Sequence, residues 1–301
     1  MQKIIPHLWF DKEAKEAAEF YTSVFPDSKI TNNFIIHNTP SNDAEVVSFN
    51  LWGYSMQAIS AGPMFKLNPS ISFMVNFDPS RDPEAKAKID EVWSKLIEGG
   101  KALMPIDKYS FSERYGWVED KYGVSWQLIL TDPGGEERPA IIPSLLFVGD
   151  MLGKAEEAAR FYTSVVKNSQ LGDIVHYPAG MEPDTEDTVM FADFQLENQW
   201  FTAMDSALMH DFTFNEAISF IINCEDQAEV DYYWEKLSAD PANEQCGWLK
   251  DKFGVSWQIA PKEMDEWLCK GTPEQAARVV EAFMPMKKLD VAKLKEAFEG
   301  K

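Results

Sequence analysis

Apolar and polar residues alternate along this chain in a pattern that occurs twice. An apolar strand is predicted over Ile4 to Phe10, followed by a helix from about Lys12 to Phe25. Ala17, Phe20, Tyr21 and Val24 recur at helical spacing, so one side of that helix can lie on a sheet. Pro26-Asp27 ends it. Strand-like runs follow near Ile30 to His37, Glu45 to Trp52, Tyr54 to Ser60 and Ser70 to Phe77. A second helix opens with Asp82 as N-cap and Pro83 in its first turn, and closes at Gly99-Gly100. Ala85, Ile89, Val92, Trp93 and Leu96 form its buried side. A turn-rich hairpin around Gly116 and Gly123 and a strand over Val124 to Leu130 complete the unit.

The same grammar returns from Ile141 to Ala260. AKEAAEFYTSVF, starting at Ala14, and AEEAARFYTSVV, starting at Ala155, agree at nine of twelve positions. GWVEDKYGVSWQL from Gly116 and GWLKDKFGVSWQI from Gly247 agree at nine of thirteen. Agreement on this scale implies two homologous halves. The expected organisation is a first domain over 1–130, a polar Gly/Pro linker over 131–140, a second domain over 141–260 and a tail over 261–301. In the tail, Thr272-Pro273-Glu274-Gln275 is a capping-box start, and Asp290 opens a last helix with Val291, Leu294 and Phe298 on one side. Two or three amphipathic helices packed on the domains are expected there.

Composition narrows the function. The 301 residues carry a net charge of −21, which repels phosphate backbones and anionic lipid, so nucleic-acid and membrane-surface binding are not expected. The charge is uneven: residues 141–260 hold six Lys/Arg against 21 Asp/Glu, whereas residues 1–130 hold 13 against 17. The three cysteines, Cys224, Cys246 and Cys269, form no Cys-x-x-Cys pair, which suits a reducing compartment and argues against disulfides or a zinc-thiolate site. The N-terminal apolar run is broken by charges after seven residues, too short for a signal peptide. A soluble, cytoplasmic protein is expected.

The repeated unit, with FYTSVF on its first helix and GVSWQ on its closing strand, resembles the vicinal oxygen chelate superfamily of glyoxalase I, bleomycin-resistance proteins and extradiol dioxygenases. It is most similar to the PhnB-like branch, often labelled 3-demethylubiquinone-9 3-methyltransferase, through Pro6-His7-Leu8-Trp9-Phe10, Phe20-Tyr21, Asn76, Asn223 and the two GW(V/L)xDK(Y/F)GVSWQ segments. The resemblance implies an α+β fold of tandem glyoxalase-like domains. In each, two βαβββ modules form a U-shaped eight-stranded sheet with its helices outside and a pocket on its concave wall.

Metal-dependent members of that superfamily place His, Gln or Glu ligands on the first and fourth strands of each module. With the FYT motif as anchor, the corresponding positions here are Pro6, Gln57, Ser70 and Gln127, then Pro143, Thr202, Ala217 and Gln258. Proline cannot ligate, and neutral Gln and Ser oxygens are poor ligands without a carboxylate or imidazole. A one-residue slip would bring in His7 or Glu216, but strand alternation would then turn both to the opposite face. No metal, no cofactor and no catalytic residue is therefore expected. Methyl transfer is disfavoured too, because the first strand enters its helix through Asp11-Lys12-Glu13 without a glycine-rich turn. A GxSxG nucleophile motif is also absent.

What remains is a pocket read from alternation. Leu8, Gln57, Ile59, Ser70, Ser72, Met74, Ser125 and Gln127 should line it in the first half. Leu145, Thr202, Met204, Ser219, Ile221, Ser256 and Gln258 should line it in the second. Trp9, Trp126 and Trp257 have the other parity and should pack beneath helices. The leading expectation is a metal-free protein that binds a small apolar or aromatic molecule, monomeric or a loose homodimer. The alternatives are a lyase- or isomerase-like enzyme using Gln57 and Gln127 with a weak or absent metal, and an acidic module that docks a basic protein.

Overall fold

The computed structural model describes residues 2–301. Its first module runs β1 (Ile4–Phe10), α1 (Ala14–Val24), β2 (Lys29–Thr39), β3 (Asn42–Leu51) and β4 (Tyr54–Ser60). The second runs β5 (Ile71–Phe77), α2 (Ala85–Leu96), β6 (Lys101–Tyr109), β7 (Ser112–Glu119) and β8 (Ser125–Leu130). The third runs β9 (Ile141–Phe147), α3 (Ala155–Val165), β10 (Gln170–His176), β11 (Val189–Leu196) and β12 (Gln199–Asp205). The fourth is shorter: β13 (Ile218–Cys224), α4 (Gln227–Leu237), β14 (Trp248–Lys250) and β15 (Ser256–Pro261). Where the second module has β6, the fourth has a 3₁₀ turn at Pro241–Asn243. Three helices close the chain: α5 (Met264–Lys270), α6 (Pro273–Phe283) and α7 (Val291–Glu299). The capping box at Thr272 and the Asp290 N-cap are both formed. Among the described residues no helix is long and apolar enough to cross a membrane.

The α+β class and the tandem modules are as expected, but the modules partner differently. The first sheet has seven strands in the order β14-β15-β13-β1-β4-β3-β2, and the second has eight in the order β10-β11-β12-β9-β5-β8-β7-β6. The first therefore joins modules one and four, and the second joins modules two and three. Each sheet draws on both halves of the chain instead of belonging to one. The seams are antiparallel: β1 on β13, with His7 opposite Ser219, and β5 on β9, with Ser72 opposite Ser144. The halves are held face to face by equivalent asparagines. Asn68 Nδ2 donates to the Thr213 carbonyl at 3.1 Å, and Asn215 Nδ2 donates to the Lys66 carbonyl at 2.8 Å. Such reciprocity marks a pseudo-two-fold relation.

What unites each half is its helices. Trp126 on β8 packs against Tyr21 and Phe25 of the first module, and Trp257 on β15 packs against Tyr162 on α3. Both indoles donate to a buried carboxylate: Trp126 to Asp120 and Trp257 to Asp251, each at 2.8 Å. Asp251 also accepts from the Phe253 and Val255 amides and from the Tyr162 hydroxyl. The repeated DK(Y/F)GVSW segment is thus a folding device. Its aspartate pins the turn and the tryptophan fills the core.

The tail lies across the first sheet from edge to edge. Cys269 Sγ on α5 bonds Asn32 Oδ1 of β2 at 2.7 Å. At the opposite edge the Cys246 and Gly247 amides each donate at 2.7 Å to the Met286 and Lys287 carbonyls. Gly247 sits at φ +86°, and a Cβ there would lie 3.1 Å from both the Ile259 carbonyl and Leu289. Glycine is therefore required for the tail to approach so closely. Trp267, Val279, Val280, Phe283, Leu289 and Leu294 form a small apolar cluster of the tail's own.

Candidate functional site

A cavity of about 790 Å³ lies between the first sheet and the tail. Ile36 on β2 and Trp248 on β14, near opposite edges of the sheet, both line it, so the sheet curls around it. Ile5, His7 and Trp9 line it from β1, Gln57 and Ile59 from β4, Ile221 and Asn223 from β13, and Ser256 and Gln258 from β15. Met264, Asp265 and Leu268 of α5 and Phe283 of α6 supply the roof.

The register on β1 corrects the expected face. His7 pairs with Gln57 and Trp9 with Ile59 across the parallel β1–β4 ladder, which puts all four on the concave side. Leu8, expected in the pocket, is fully buried in the core on the other side, and Leu145 of β9 does the same in the second sheet. Trp9, expected beneath a helix, is in the cavity wall, whereas Trp126 and Trp257 are in the core as expected. On this face of the first sheet His7 thus lies beside Gln57 and opposite Ser219 across the seam, and in the second sheet Ser144 lies beside Thr202 and opposite Ser72. Pro6 and Pro143 have the opposite parity to His7 and Ser144, and Ser70 and Ala217 precede their strands. One buried residue misled the anchor: when both faces of a strand are covered, alternation does not say which face is which.

The remaining expected residues divide between the two sheets. Gln57, Ile59, Ile221, Ser256 and Gln258 line the cavity, and Ser219 Oγ accepts from Gln258 Nε2 at 3.0 Å beside it. Ser72, Met74, Ser125, Gln127, Thr202 and Met204 share the equivalent face of the second sheet, away from this cavity. There Gln127 donates to Ser72 Oγ and accepts from the Tyr115 hydroxyl, both at 2.8 Å, while the buried Thr202 hydroxyl has no partner. Trp117 Nε1 donates to Ser125 Oγ at 2.7 Å.

The first sheet breaks this symmetry. Trp248, the counterpart of Trp117, stands edge-on to His7 at 5.5 Å and to Trp9 at 6.3 Å instead of bonding its own serine. Ser256 Oγ is left buried without a partner, and so is His7 Nδ1. Burial without a partner depresses the His7 pKa from 6.5 to about 3, so its imidazole is neutral. Gln57 Nε2 donates to Ser48 Oγ at 3.1 Å and to Asp265 Oδ2 at 3.0 Å. Asp265 is open to the cavity's solvent, yet the protein crowded around its carboxyl raises its pKa, and only the Gln57 bond works the other way.

As a metal site this arrangement falls short. One imidazole and one carboxylate meet neutral Gln and Ser groups, and no cluster of three His, Cys, Asp or Glu able to hold an ion exists among the described residues. His7 also lacks the carboxylate or carbonyl partner on its second nitrogen that orients a ligating histidine. The residues do not fit a zinc, nickel or iron centre. The cysteines are free, and burial raises the Cys246 thiol.

Four strand-and-helix modules paired two by two, with a cavity on a curled sheet, define a protein of the vicinal oxygen chelate class. Within it, the chain belongs to the family described as 3-demethylubiquinone-9 3-methyltransferase, whose model matches residues 2–129 and again 139–260. The PhnB protein from Bacillus cereus is 36% identical over 43% of this chain and 100% of its own, with a TM-score of 0.39. Glyoxalase I from Zea mays is 11% identical and covers 86% of this chain and 93% of its own at a TM-score of 0.50, a likeness of fold. A glyoxylase/bleomycin resistance protein/dioxygenase domain from Frankia sp. EAN1pec is 14% identical over 43% of this chain and 90% of its own, at 0.31. Comparison with curated proteins gave no match.

Proposed function

We propose that the first-sheet cavity binds a small, largely apolar or aromatic molecule without a resident metal and without chemistry. The observation that carries this reading is the cavity itself. It has the volume of a small-molecule site, with aromatic and aliphatic walls and a few convergent polar groups: His7, Gln57 and Asp265. Two buried polar atoms in or beside its wall, His7 Nδ1 and Ser256 Oγ, lack a protein partner, and a bound molecule can supply one.

An enzymatic reading through Gln57 and Gln127 has less support. Amides are feeble general bases, and Gln127 belongs to the other sheet. His7 is the stronger acceptor, but a pKa near 3 makes it a hydrogen-bonding group at neutral pH and not a proton shuttle. Methyl transfer lacks the doubly wound parallel sheet and glycine-rich turn that hold a nucleotide-like donor.

Trp9 and Trp248 provide the readout. A ligand entering the cavity should perturb tryptophan emission saturably and raise the melting temperature with concentration. Substituting Ile59→Trp should weaken both responses by narrowing the cavity beside His7 and Trp9. Tight stoichiometric transition metal by native mass spectrometry, together with metal-dependent turnover, would overturn this reading.

A further inference from the structure

Resting on that reading, we propose that the C-terminal tail completes the site and sets its charge preference: the ligand is an aromatic monocation whose protonated nitrogen meets Asp265. Asp265 lies on α5, beyond both segments matched by the family model, so neither repeat supplies an equivalent.

The charges facing the cavity carry the argument. Among the described residues that line it, the charged side chains are Glu216, Lys250 and Asp265. Lys250 Nζ is held by Glu216 at 2.7 Å, which cancels that pair. Asp265 is left with a single neutral donor, the Gln57 amide at 3.0 Å. A carboxylate at the mouth of an apolar cavity without a countercharge leaves a negative field that favours a cationic ligand. The aromatic surroundings favour the same ligand. Trp9 stands edge-on to Phe65 at 5.1 Å and to Trp248 at 6.3 Å, and an organic cation is attracted to such rings. His7 adds a lone pair on a neutral ring and no positive charge to oppose it. An anionic ligand would find no free cation among these lining residues.

The test uses the full chain and three tricyclic probes of one shape at pH 7.5 and physiological salt. These are 9-aminoacridine (a cation), acridine (neutral) and acridine-9-carboxylate (an anion), each titrated by calorimetry. The expected order is 9-aminoacridine tightest, by about tenfold over acridine, with the carboxylate weakest. Asp265→Asn should bring 9-aminoacridine down to the level of acridine and leave acridine unchanged, with the melting temperature intact. Asp265→Lys should reverse the order of cation and anion. Glu266→Gln, an exposed neighbour on the same helix, reports the diffuse attraction of an acidic chain and should change nothing. Equal binding of acridine and 9-aminoacridine, or equal losses from Asp265→Asn and Glu266→Gln, would overturn the charge assignment while leaving a binding cavity. If none of the three probes binds, the cavity reading fails as well.

Discussion

Asp251 shows how a single side chain can explain a sequence signature. Burial raises its carboxyl to about pH 6, while the Trp257 indole, the Tyr162 hydroxyl and two backbone amides pull the other way. Removing it strands those donors in the core. Asp251→Ala is therefore expected to cost about 3 kcal/mol or more, the scale of several unsatisfied buried groups, measured by urea unfolding. A loss under about 1 kcal/mol, the worth of one ordinary hydrogen bond, would contradict this role. His7 makes the opposite kind of statement. Its folded pKa near 3 lies below the unfolded 6.5, so only the unfolded chain takes up a proton as pH falls through that window. Stability should decline below pH 6.5, by about 2 kcal/mol at pH 5 at 1.36 kcal/mol per pH unit, and His7 should add no slope above pH 7.5. Asp251 acts against this trend between 3.8 and about 6, because there the folded state holds the extra proton. The His7 contribution is therefore read as the difference between the native chain and His7→Gln across pH 5 to 7.5; no difference would mean that the imidazole is hydrated. The sequence named Gln57, Ser256 and Gln258 on the cavity wall but placed His7, Trp9 and Leu8 on the wrong faces. The reason is physical: β1 has buried residues on both faces, so no polar side marks the outside.

At the scale of elements, strands and helices were legible wherever period and capping agreed. β1 and β4 have the predicted ends, and the Thr272 capping box starts α6 where its chemistry requires. The β6 and β7 ladder was harder to see, because its register shifts repeatedly and its outer strand is largely exposed. The tail's place over the cavity had no sequence signal, since nothing in the repeats corresponds to it. Its small apolar cluster implies that α5, α6 and α7 open as a unit of lower stability than the sheets. Leu294→Ala, at the buried centre of α7, should remove about 2–4 kcal/mol, the usual cost of emptying a leucine site, from that unit alone. Hydrogen exchange should then accelerate over residues 264–299 while β1 and β13 keep their protection. Faster exchange spread evenly into the sheets would show that the tail and the sheets unfold together.

At the scale of the molecule, the repeat made the four modules plain but not which pairs share a sheet. Strand periodicity records burial, and β1 buries the same residues whether its neighbour is β5 or β13. The choice lies in non-local seams: β1 on β13 over Ile4 to Leu8, and β5 on β9 over Ile71 to Val75. Each half nonetheless has its own helix-packed core around Trp126 or Trp257. Separating the halves should leave that core intact and expose the β1 and β5 seams, and unpaired strand edges of that kind recruit partners. Residues 1–137 expressed alone should therefore form a two-fold homodimer, with β1 of one copy on β5 of the other, as β1 now lies on β13. Light scattering should give twice the fragment mass, and its unfolding midpoint should rise with concentration because folding and association are coupled. A charge placed in the seam, Ile5→Lys, should shift the fragment toward monomer. A well-folded monomer with a concentration-independent midpoint would mean that β1 can turn back onto β5 of its own half. The tandem arrangement would then be one of two accessible pairings.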